Sequence, residues 1–436
     1  MIFLDLFFQK LNNNGISYCV LRNYEELPLS TNGSDLDILI RENHLSLFNK
    51  ALAESLIKAN GAIVSVIESK ICPRYCILGL GINPWGLMID LHLNKIIYRS
   101  QTIIYEKAIW ENAFIFNNIC VLNQRTDKLV GLMKELLNNR TCSEKYYNSF
   151  VEEGLDKNFL YSIFKPTGKL STADALMDCA QGKYNQAEIE RLVKQLDRDF
   201  PNSWYSPFMK VKKFTRMLNK PGYTIAFLGT DGSGKSTLID NIMPVLNETF
   251  HNAVYYKHLR PGWLPPLSHL SGREQKQAGP VINPHASQPS GFIGSLMRWV
   301  YYFVDYLLGY YVKIFPKKST KACAFIFDRY FYDLYIDKRR ARINLPGWII
   351  RLGQALIPEP DIILCLGADP LSTHNRKPEL PLLEIDRQIT ALKKFCSRHK
   401  RAVWIDTGKS IEDSSRDALK EITKMMAIRF KYLKLH

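Results

Sequence analysis

The segment that most constrains this chain is a glycine-rich octapeptide, GTDGSGKS, at positions 229–236. An apolar run at 223–228 precedes it, and a helix-like segment begins at Ser236. The pattern Gly-x4-Gly-Lys-Ser between a strand and a helix is typical of a loop that cradles phosphate groups. We therefore predict a phosphate-binding loop carried by a parallel α/β sheet in this half of the chain.

Each residue type in this loop has a physical role. Glycines let backbone N–H groups curl around phosphates, and the start of the following helix adds a favourable dipole. The ammonium of Lys235 can reach the β and γ phosphates, and the hydroxyl of Ser236 can ligate Mg²⁺. These roles predict ATP and Mg²⁺ as cofactors. The predicted nucleotide contacts are Gly229, Asp231, Gly232, Ser233, Gly234, Lys235, Ser236 and Thr237.

Apolar runs in the second half of the chain alternate with helix-like segments. The runs lie at 223–228, 253–256, 322–327, 361–366 and 402–405. Buried strands joined by helical crossovers indicate a parallel sheet with helices on both faces. A stretch rich in glycine, proline and serine at 262–291 interrupts the pattern, and its length is typical of a lid, a binding segment or disorder.

The first half of the chain has a different pattern, which predicts an α+β fold with a helical tail. Predicted strands lie at 16–22, 36–40, 62–69, 75–80 and 87–93, and predicted helices at 127–137 and 185–199. The sharpest break in composition is at 219–222. A chain of 436 residues exceeds what one hydrophobic core usually supports. We therefore predict two domains, 1–215 and 220–436.

Composition adds limits on partners and location. The formal net charge of +16 favours anionic partners but does not choose among them. Positive charge is spread along the chain without a recognisable reading motif, so no specific nucleic acid is predicted. The nine cysteines lack paired metal-ligand spacing, and the N-terminus lacks a basic leader, so we predict a cytoplasmic protein with free thiols.

One apolar stretch, Leu296–Phe315, is long enough to cross a membrane. It contains Arg298, Asp305 and Lys313, whose burial in lipid would be costly. We therefore predict no transmembrane segment and interpret the stretch as a helix that lines a polar pocket.

A second polar cluster follows the apolar run that ends at Phe327. Asp328 and Arg329 come directly after it, where a parallel strand delivers side chains to the phosphate crevice. Asp328 can organise Mg²⁺, and the planar guanidinium of Arg329 can hold a second phosphate. Both are predicted to be catalytic, together with Lys235.

Three segments together resemble the thymidylate kinase family: FLGTDGSGKST at 227–237, HLRPG at 258–262 and DRY at 328–330. The resemblance implies a nucleoside monophosphate kinase in which Arg260 and Arg329 hold the acceptor phosphate. It also implies a basic lid, for which Arg376 and Lys377 are the candidates, with Arg376 catalytic. Members of the family are often dimers, so a homodimer is an expectation.

The first half carries a second motif, Gly33-Ser-Asp-Leu-Asp37, ahead of an apolar strand. Asp35 and Asp37 lie two residues apart, on one face of an extended segment, where they can hold metal ions. Asp90 lies in the middle of another apolar strand, where a carboxylate needs a partner or a metal. These segments resemble the polymerase-β-like nucleotidyltransferase superfamily, which implies that all three aspartates bind metal and that Asp90 is catalytic and activates the acceptor.

Several alternatives remain open from the sequence. Asp333 and Asp337 stand where thymidylate kinases carry groups that contact thymine, so the acceptor is a nucleotide or another phosphorylated molecule such as a sugar phosphate. Nucleotidyl transfer to a sugar phosphate, glycan or protein could be the main activity. A third possibility is an ATP-gated interaction protein. His92 and His258 lie beside motifs but are left out of the predicted catalytic set.

Overall fold

The computed structural model describes residues 2–69, 72–99, 101–154, 156–180, 182–201, 219–265 and 290–430. These residues form two compact units. The N-terminal unit contains the described residues up to 81 and from 87 to 201, and the C-terminal unit contains 82–86 and 219–430. The predicted boundary at 215–220 falls largely outside the described residues.

The N-terminal unit begins with a sheet region and continues with helices. Its elements are α1 (Ile2–Asn13), β1 (Tyr18–Val20), β2 (Leu36–Ile40), α2 (Leu45–Lys58), β3 (Gly61–Ile67), β4 (Arg74–Gly79), β5 (Trp85–Leu93), β6 (Lys95–Tyr98), β7 (Gln101–Tyr105), α3 (Glu106–Glu111), β8 (Ala113–Phe116), β9 (Ile119–Leu122), α4 (Gln124–Asn139), α5 (Glu144–Glu152), α6 (Lys157–Phe164), α7 (Leu170–Ala180) and α8 (Gln186–Asp199). The predicted α+β region and helical tail are both present.

Within the described residues of this unit, seven strands form a mixed sheet in the order β3-β4-β5-β2-β1-β9-β8. β2 and β5 are parallel neighbours, and their register places Asp37 directly opposite Asp90. Every residue of β2 is buried, so its polar side chains need partners inside the protein. The sheet therefore brings together two aspartates that are distant in sequence.

The helical tail packs as one layer of the N-terminal core. Its buried side chains include Leu129, Leu136, Phe150, Phe164, Leu176 and Leu196 from five successive helices. α4 begins where Asn123 accepts a hydrogen bond from the backbone N–H of Thr126, and ends at Arg140 in the left-handed region. This capping fixes the helix that supplies Lys134 to the site described below.

The C-terminal unit alternates strands and helices, as predicted. Its elements are β10 (Tyr223–Gly229), α9 (Lys235–Thr249), β11 (Val254–His258), α10 (Phe292–Gly309), a π-helical turn (Tyr310–Ile314), α11 (Phe315–Thr320), β12 (Ala324–Asp328), α12 (Asp333–Ile336), α13 (Gly347–Leu356), β13 (Ile362–Gly367), α14 (Pro370–Arg376), α15 (Leu382–Arg398), β14 (Ala402–Asp406) and α16 (Ile411–Arg429).

Among the described residues, five strands form a sheet in the order β11-β12-β10-β13-β14, and all their pairings are parallel. On one face, Ala226 and Leu228 of β10 share a core with Trp299 and Leu392. The alternate residues of β10 are fully buried as well. Because successive strand residues point to opposite faces, both faces of the sheet are covered.

The stretch Leu296–Phe315, interpreted from the sequence as a helix that lines a polar pocket, spans several helical elements. It forms most of α10, the π-helical turn and the start of α11, and several of its apolar side chains are exposed. The carboxylate of Asp305 is buried and accepts hydrogen bonds from the backbone N–H groups of Gly262 and Leu264. Nowhere in the described chain is a helix both long and apolar enough to span a bilayer. Most of the 262–291 stretch lies outside the described residues.

Candidate functional site

The glycine-rich loop joins the end of β10 to the start of α9, at the carboxyl edge of the parallel sheet. Gly232 has φ of +81°, and a Cβ there would lie 2.6 Å from the carbonyl oxygen of Thr373. A Cβ at Gly229 would lie 2.6 Å from Ser233 Oγ and 2.7 Å from the carbonyl oxygen of Leu366. The loop conformation therefore requires glycine at both positions.

Lys235, the first residue of α9, is buried beneath this loop. Its Nζ donates hydrogen bonds of 2.8 Å to the carbonyl oxygens of Gly229 and Thr230. Burial and the positive charge of Arg329 lower the pKa of Lys235 to about 7. An ammonium in this position would be stabilised by an anion, which is the charge that a phosphate supplies.

Asp328 ends β12, next to β10 and opposite His258 of β11. Tyr256 donates a 3.0 Å hydrogen bond from its hydroxyl to Asp328 Oδ2, and His258 Nδ1 lies 3.6 Å from the same oxygen. Burial would raise the pKa of Asp328, but His258, Lys235 and Tyr256 together lower it to about 2. The carboxylate is therefore ionised at neutral pH.

Four buried polar atoms around the loop have no hydrogen-bond partner among the described residues. They are Thr230 Oγ1, Ser233 Oγ, Asp328 Oδ1 and Thr407 Oγ1. Buried polar groups in proteins are usually paired, and unpaired ones mark places where an ion, water or ligand binds. The free Oδ1 of Asp328 is a suitable oxygen ligand for Mg²⁺.

Arg329 follows Asp328 with φ of +78°, an unusual backbone conformation for a residue other than glycine. Its two terminal nitrogens are both engaged: Nη2 lies 2.5 Å from Asp231 Oδ1, and Nη1 lies 2.6 Å from Asp333 Oδ2. The other oxygen of Asp231 accepts a hydrogen bond from Arg340. These carboxylates hold Arg329 in one orientation beside the loop.

A cleft of about 390 Å³ lies over the loop and collects most of the predicted residues of this half. Its walls include Asp231, Gly232, Gly234, Lys235, Ser236, Thr237, Asp328, Arg329, Arg376 and Lys377. Ser236 and Thr237 are exposed at the start of α9. Arg376 ends α14 and donates a 3.0 Å hydrogen bond to the carbonyl oxygen of Thr407. The cleft therefore combines loop glycines, one carboxylate with a free oxygen, and several cations.

Five of the residues singled out from the sequence in this half are not part of this cleft wall: Gly229, Ser233, Arg260, Asp333 and Asp337. Arg260 contacts Asp305 at 3.4 Å and lies over the rings of Tyr301 and Tyr302. Asp337 is buried and accepts a hydrogen bond from the backbone N–H of Arg340. Asp333, in contrast, reaches the cleft indirectly through its ion pair with Arg329.

Sequence reasoning missed two residues of the cleft wall, His258 and Arg340. His258 ends β11, and the carboxyl ends of parallel strands meet at one edge of the sheet. That rule could have placed it beside Asp328. Arg340 belongs to a basic run in an irregular segment, and no spacing signal distinguishes it from its neighbours.

The N-terminal unit brings together the three predicted aspartates Asp35, Asp37 and Asp90. All are buried, and each offers an oxygen within 4.8 Å of the others. Asp37 and Asp90 face each other across β2 and β5, and Asp35 lies just before β2. Oxygen ligands at this spacing fit a divalent cation such as Mg²⁺.

Cations already neutralise these carboxylates. Arg22 is paired with both Asp35 and Asp37, and Lys134 Nζ lies 2.9 Å from Asp35 and 3.2 Å from Asp37. Arg74 donates two hydrogen bonds to Asp90. Burial would raise the pKa of Asp37, but Lys134 and Arg22 hold it well below its ordinary value.

His92 lies next to this cluster on β5, with Nε2 3.6 Å from Asp37 Oδ1. Burial opposes its charged form, but Cys72 and Asp37 raise the pKa of His92 to about 10. Neither His92 nor Arg74 was among the residues predicted from the sequence.

Comparison with known proteins gives matches of limited extent, all of them to solved structures. No protein-family model matches the chain, and no curated protein sequence matches it. A thymidylate kinase from Ehrlichia chaffeensis, solved by crystallography, aligns with 46% of this chain and 97% of its own length, at 20% identity and a TM-score of 0.31. Because the identity and the TM-score are both low, we base no functional inference on this match.

Proposed function

We propose that the C-terminal unit is an ATP- and Mg²⁺-dependent phosphotransferase of the nucleoside monophosphate kinase type, acting on a small phosphorylated acceptor. The observation that carries the proposal is the cleft in which Lys235, Asp328 and Arg376 converge on the glycine-rich loop. Phosphoryl transfer needs positioned cations more than covalent chemistry, and the cleft supplies them.

In the proposed reaction, a phosphate oxygen of the acceptor forms a bond to the γ-phosphorus while the bond to the β–γ bridging oxygen breaks and ADP leaves. Lys235 stabilises the phosphate oxygens of the donor, and Arg376 and Lys377 approach them from α14. Ser236 and Asp328 would hold Mg²⁺, which neutralises phosphate charge when bound. Asp231 and Asp333 keep Arg329 oriented towards the acceptor.

The test is an ATP phosphotransfer assay on the full-length protein with nucleoside monophosphates, thymidine monophosphate among them, and sugar phosphates as acceptors. Replacing Lys235 with alanine should abolish transfer. Lys409→Ala is the matched control, because Lys409 is exposed on the same unit and pairs with Asp417. Transfer that survives Lys235→Ala would refute the proposal. ATP binding without transfer to any acceptor would favour the ATP-gated interaction protein instead.

A second candidate function is metal-dependent nucleotidyl transfer in the N-terminal unit, to a sugar phosphate, glycan or protein. The cluster of Asp35, Asp37 and Asp90 carries it, since a divalent cation fits three oxygens at this spacing. Metal binding would have to displace Arg22 and Lys134 from these carboxylates. Pyrophosphate release from a nucleoside triphosphate, lost in Asp35→Asn and kept in the exposed Asp5→Asn, would support it.

A further inference from the structure

The C-terminal unit exposes apolar side chains on two helices, α10 and α13, and on the turn between α10 and α11. Exposed side chains in this region are Phe292, Ile293, Met297, Val300, Leu308, Tyr311, Val312, Trp348, Leu352 and Leu356. Scattered exposed apolar residues are ordinary, but a contiguous patch marks an interaction site. We call this set the α10–α13 face.

The members of the α10–α13 face follow helical spacing. On α10, Ile293, Met297 and Val300 recur at intervals of four and three residues, which places them on one side of the helix. On α13, Trp348, Leu352 and Leu356 recur every four residues. Each helix therefore presents an exposed apolar stripe.

The two helices are direct neighbours. A Cβ built on Gly353 of α13 would lie 2.8 Å from the ring of Trp299 on α10, so the helices touch closely at this point. Both residues are buried, whereas the adjacent Val300 and Leu352 are exposed. The two exposed stripes therefore belong to one packed pair of helices.

Charge in this region is strongly one-sided. Between 292 and 356, all of which the structure describes, the chain has eleven basic and four acidic residues. All four acids, Asp305, Asp328, Asp333 and Asp337, are buried. Exposed basic side chains are Lys313, Lys317, Lys321, Arg339 and Arg351. The segment therefore exposes basic and apolar side chains to solvent, but no carboxylate.

This charge distribution distinguishes between two binding partners for the α10–α13 face, a second copy of the chain and a lipid surface. A second copy of the chain packed about a two-fold axis would place the same patch against itself. Basic side chains would then face basic side chains, with no exposed carboxylate of this segment to pair with them. A surface of anionic lipids complements both properties, because its headgroups attract lysine and arginine and its acyl boundary accepts apolar and aromatic side chains.

We propose that the α10–α13 face docks the protein on the surface of an anionic lipid bilayer, with α10 in the plane of the interface. Lys317 and Lys321 contribute electrostatic attraction, and Ile293 and Trp348, which are 75% and 67% exposed, insert their side chains. This binding is peripheral and does not depend on the proposed phosphotransfer.

The test is sedimentation of the full-length protein with vesicles of phosphatidylglycerol and phosphatidylcholine, compared with vesicles of phosphatidylcholine alone. Wild-type protein should bind the anionic vesicles, and binding should weaken as salt is raised. Each basic side chain near such a surface raises the partition coefficient of the protein onto the vesicles roughly fivefold. Lys317→Glu combined with Lys321→Glu should therefore lower the partition coefficient at least about tenfold.

Matched controls separate the α10–α13 face from general effects. Lys400→Glu with Lys420→Glu makes the same change in net charge at exposed positions elsewhere on the unit, and should retain most of the binding. Ile293→Ser with Trp348→Ser should weaken binding, whereas Leu383→Ser with Ile428→Ser should not, although those residues are exposed too. Circular dichroism and thermal melting verify that each variant is folded.

Three results would overturn the proposal. The first is no sedimentation with anionic vesicles at low salt. The second is an equal loss of binding in the two charge-reversal variants, which would assign the effect to net charge alone. The third is a dimer by analytical ultracentrifugation that Ile293→Ser with Trp348→Ser dissociates, because the face would then be an interface between copies of the chain.

Discussion

At the scale of single residues, the lowered pKa of Lys235 leads to a prediction that can be measured directly. Burial and the charge of Arg329 lower its pKa to about 7, so at pH 8 much of this side chain is neutral in the nucleotide-free protein. A bound triphosphate favours the ammonium and raises the pKa again. ATP binding at pH 8 should therefore take up as much as one proton at Lys235, and affinity should rise as the pH falls from about 9 to about 7.

Isothermal titration calorimetry at pH 8, in two buffers with different ionisation enthalpies, measures this proton uptake directly. Lys235→Met should remove it and weaken ATP binding. Lys377→Met is the comparison, because Lys377 lines the same cleft but is about half exposed and pairs with Glu379. Equal proton uptake in wild type and Lys235→Met would show that the proton goes elsewhere.

At the scale of elements, the turn from β10 to α9 depends on the backbone of Gly232. An alanine there would have to adopt a left-handed conformation and would place its Cβ 2.6 Å from the carbonyl oxygen of Thr373. Strain of this kind costs roughly 1–3 kcal/mol. We expect Gly232→Ala to lower the free energy of unfolding by about that amount and to weaken ATP binding at least about tenfold, because the loop donors lose their positions.

Urea denaturation and ATP titration of the same samples test this prediction. Gly347→Ala is the control, since a Cβ at that glycine meets nothing within 4 Å and its φ is not left-handed. It should leave ATP binding unchanged, and its stability should equal that of wild type or exceed it slightly. Wild-type stability and affinity in Gly232→Ala would show that the loop tolerates another backbone path.

At the scale of the whole molecule, two units with separate cores predict separate responses to ligand. The helical tail and β9 share one core, and the parallel sheet has another. Mg-ATP at about 100 times its dissociation constant should stabilise the unit that binds it by about 2.7 kcal/mol. Differential scanning calorimetry should then show one transition that moves up with Mg-ATP and one that does not, with no movement in Lys235→Met. A single transition that moves as a whole would mean that the units unfold together.

Strand positions and the glycine-rich turn from β10 to α9 could be predicted from local sequence. The five strands of the parallel sheet lie within two residues of their predicted limits, because buried strands are continuous apolar runs with helical segments between them. Short strands were harder to predict. β1 has three residues instead of the predicted seven, and the four-residue strands β8 and β9 were not predicted. Four apolar residues do not distinguish a strand from a helix or loop.

Side-chain partners could not be predicted, because they depend on which elements become neighbours. The sequence identifies Asp35, Asp37 and Asp90 as an acidic set, but only the parallel register of β2 and β5 places Asp90 opposite Asp37. Arg22 and Lys134 reach the same aspartates from positions distant in sequence. The motif around Arg260 predicts a contact with the acceptor phosphate, which stays a prediction, and the fold places its guanidinium 3.4 Å from Asp305.

The sequence by itself determined the two-part organisation, the parallel sheet and the position of the glycine-rich loop between β10 and α9. These follow from local patterns: hydrophobic period, strand length and glycines at positions that need special backbone geometry. Tertiary structure alone decided that His258 and Arg340 join the cleft, that cations neutralise the N-terminal aspartates, and that α10 exposes its apolar stripe. Those features depend on contacts between distant segments, which local patterns do not encode.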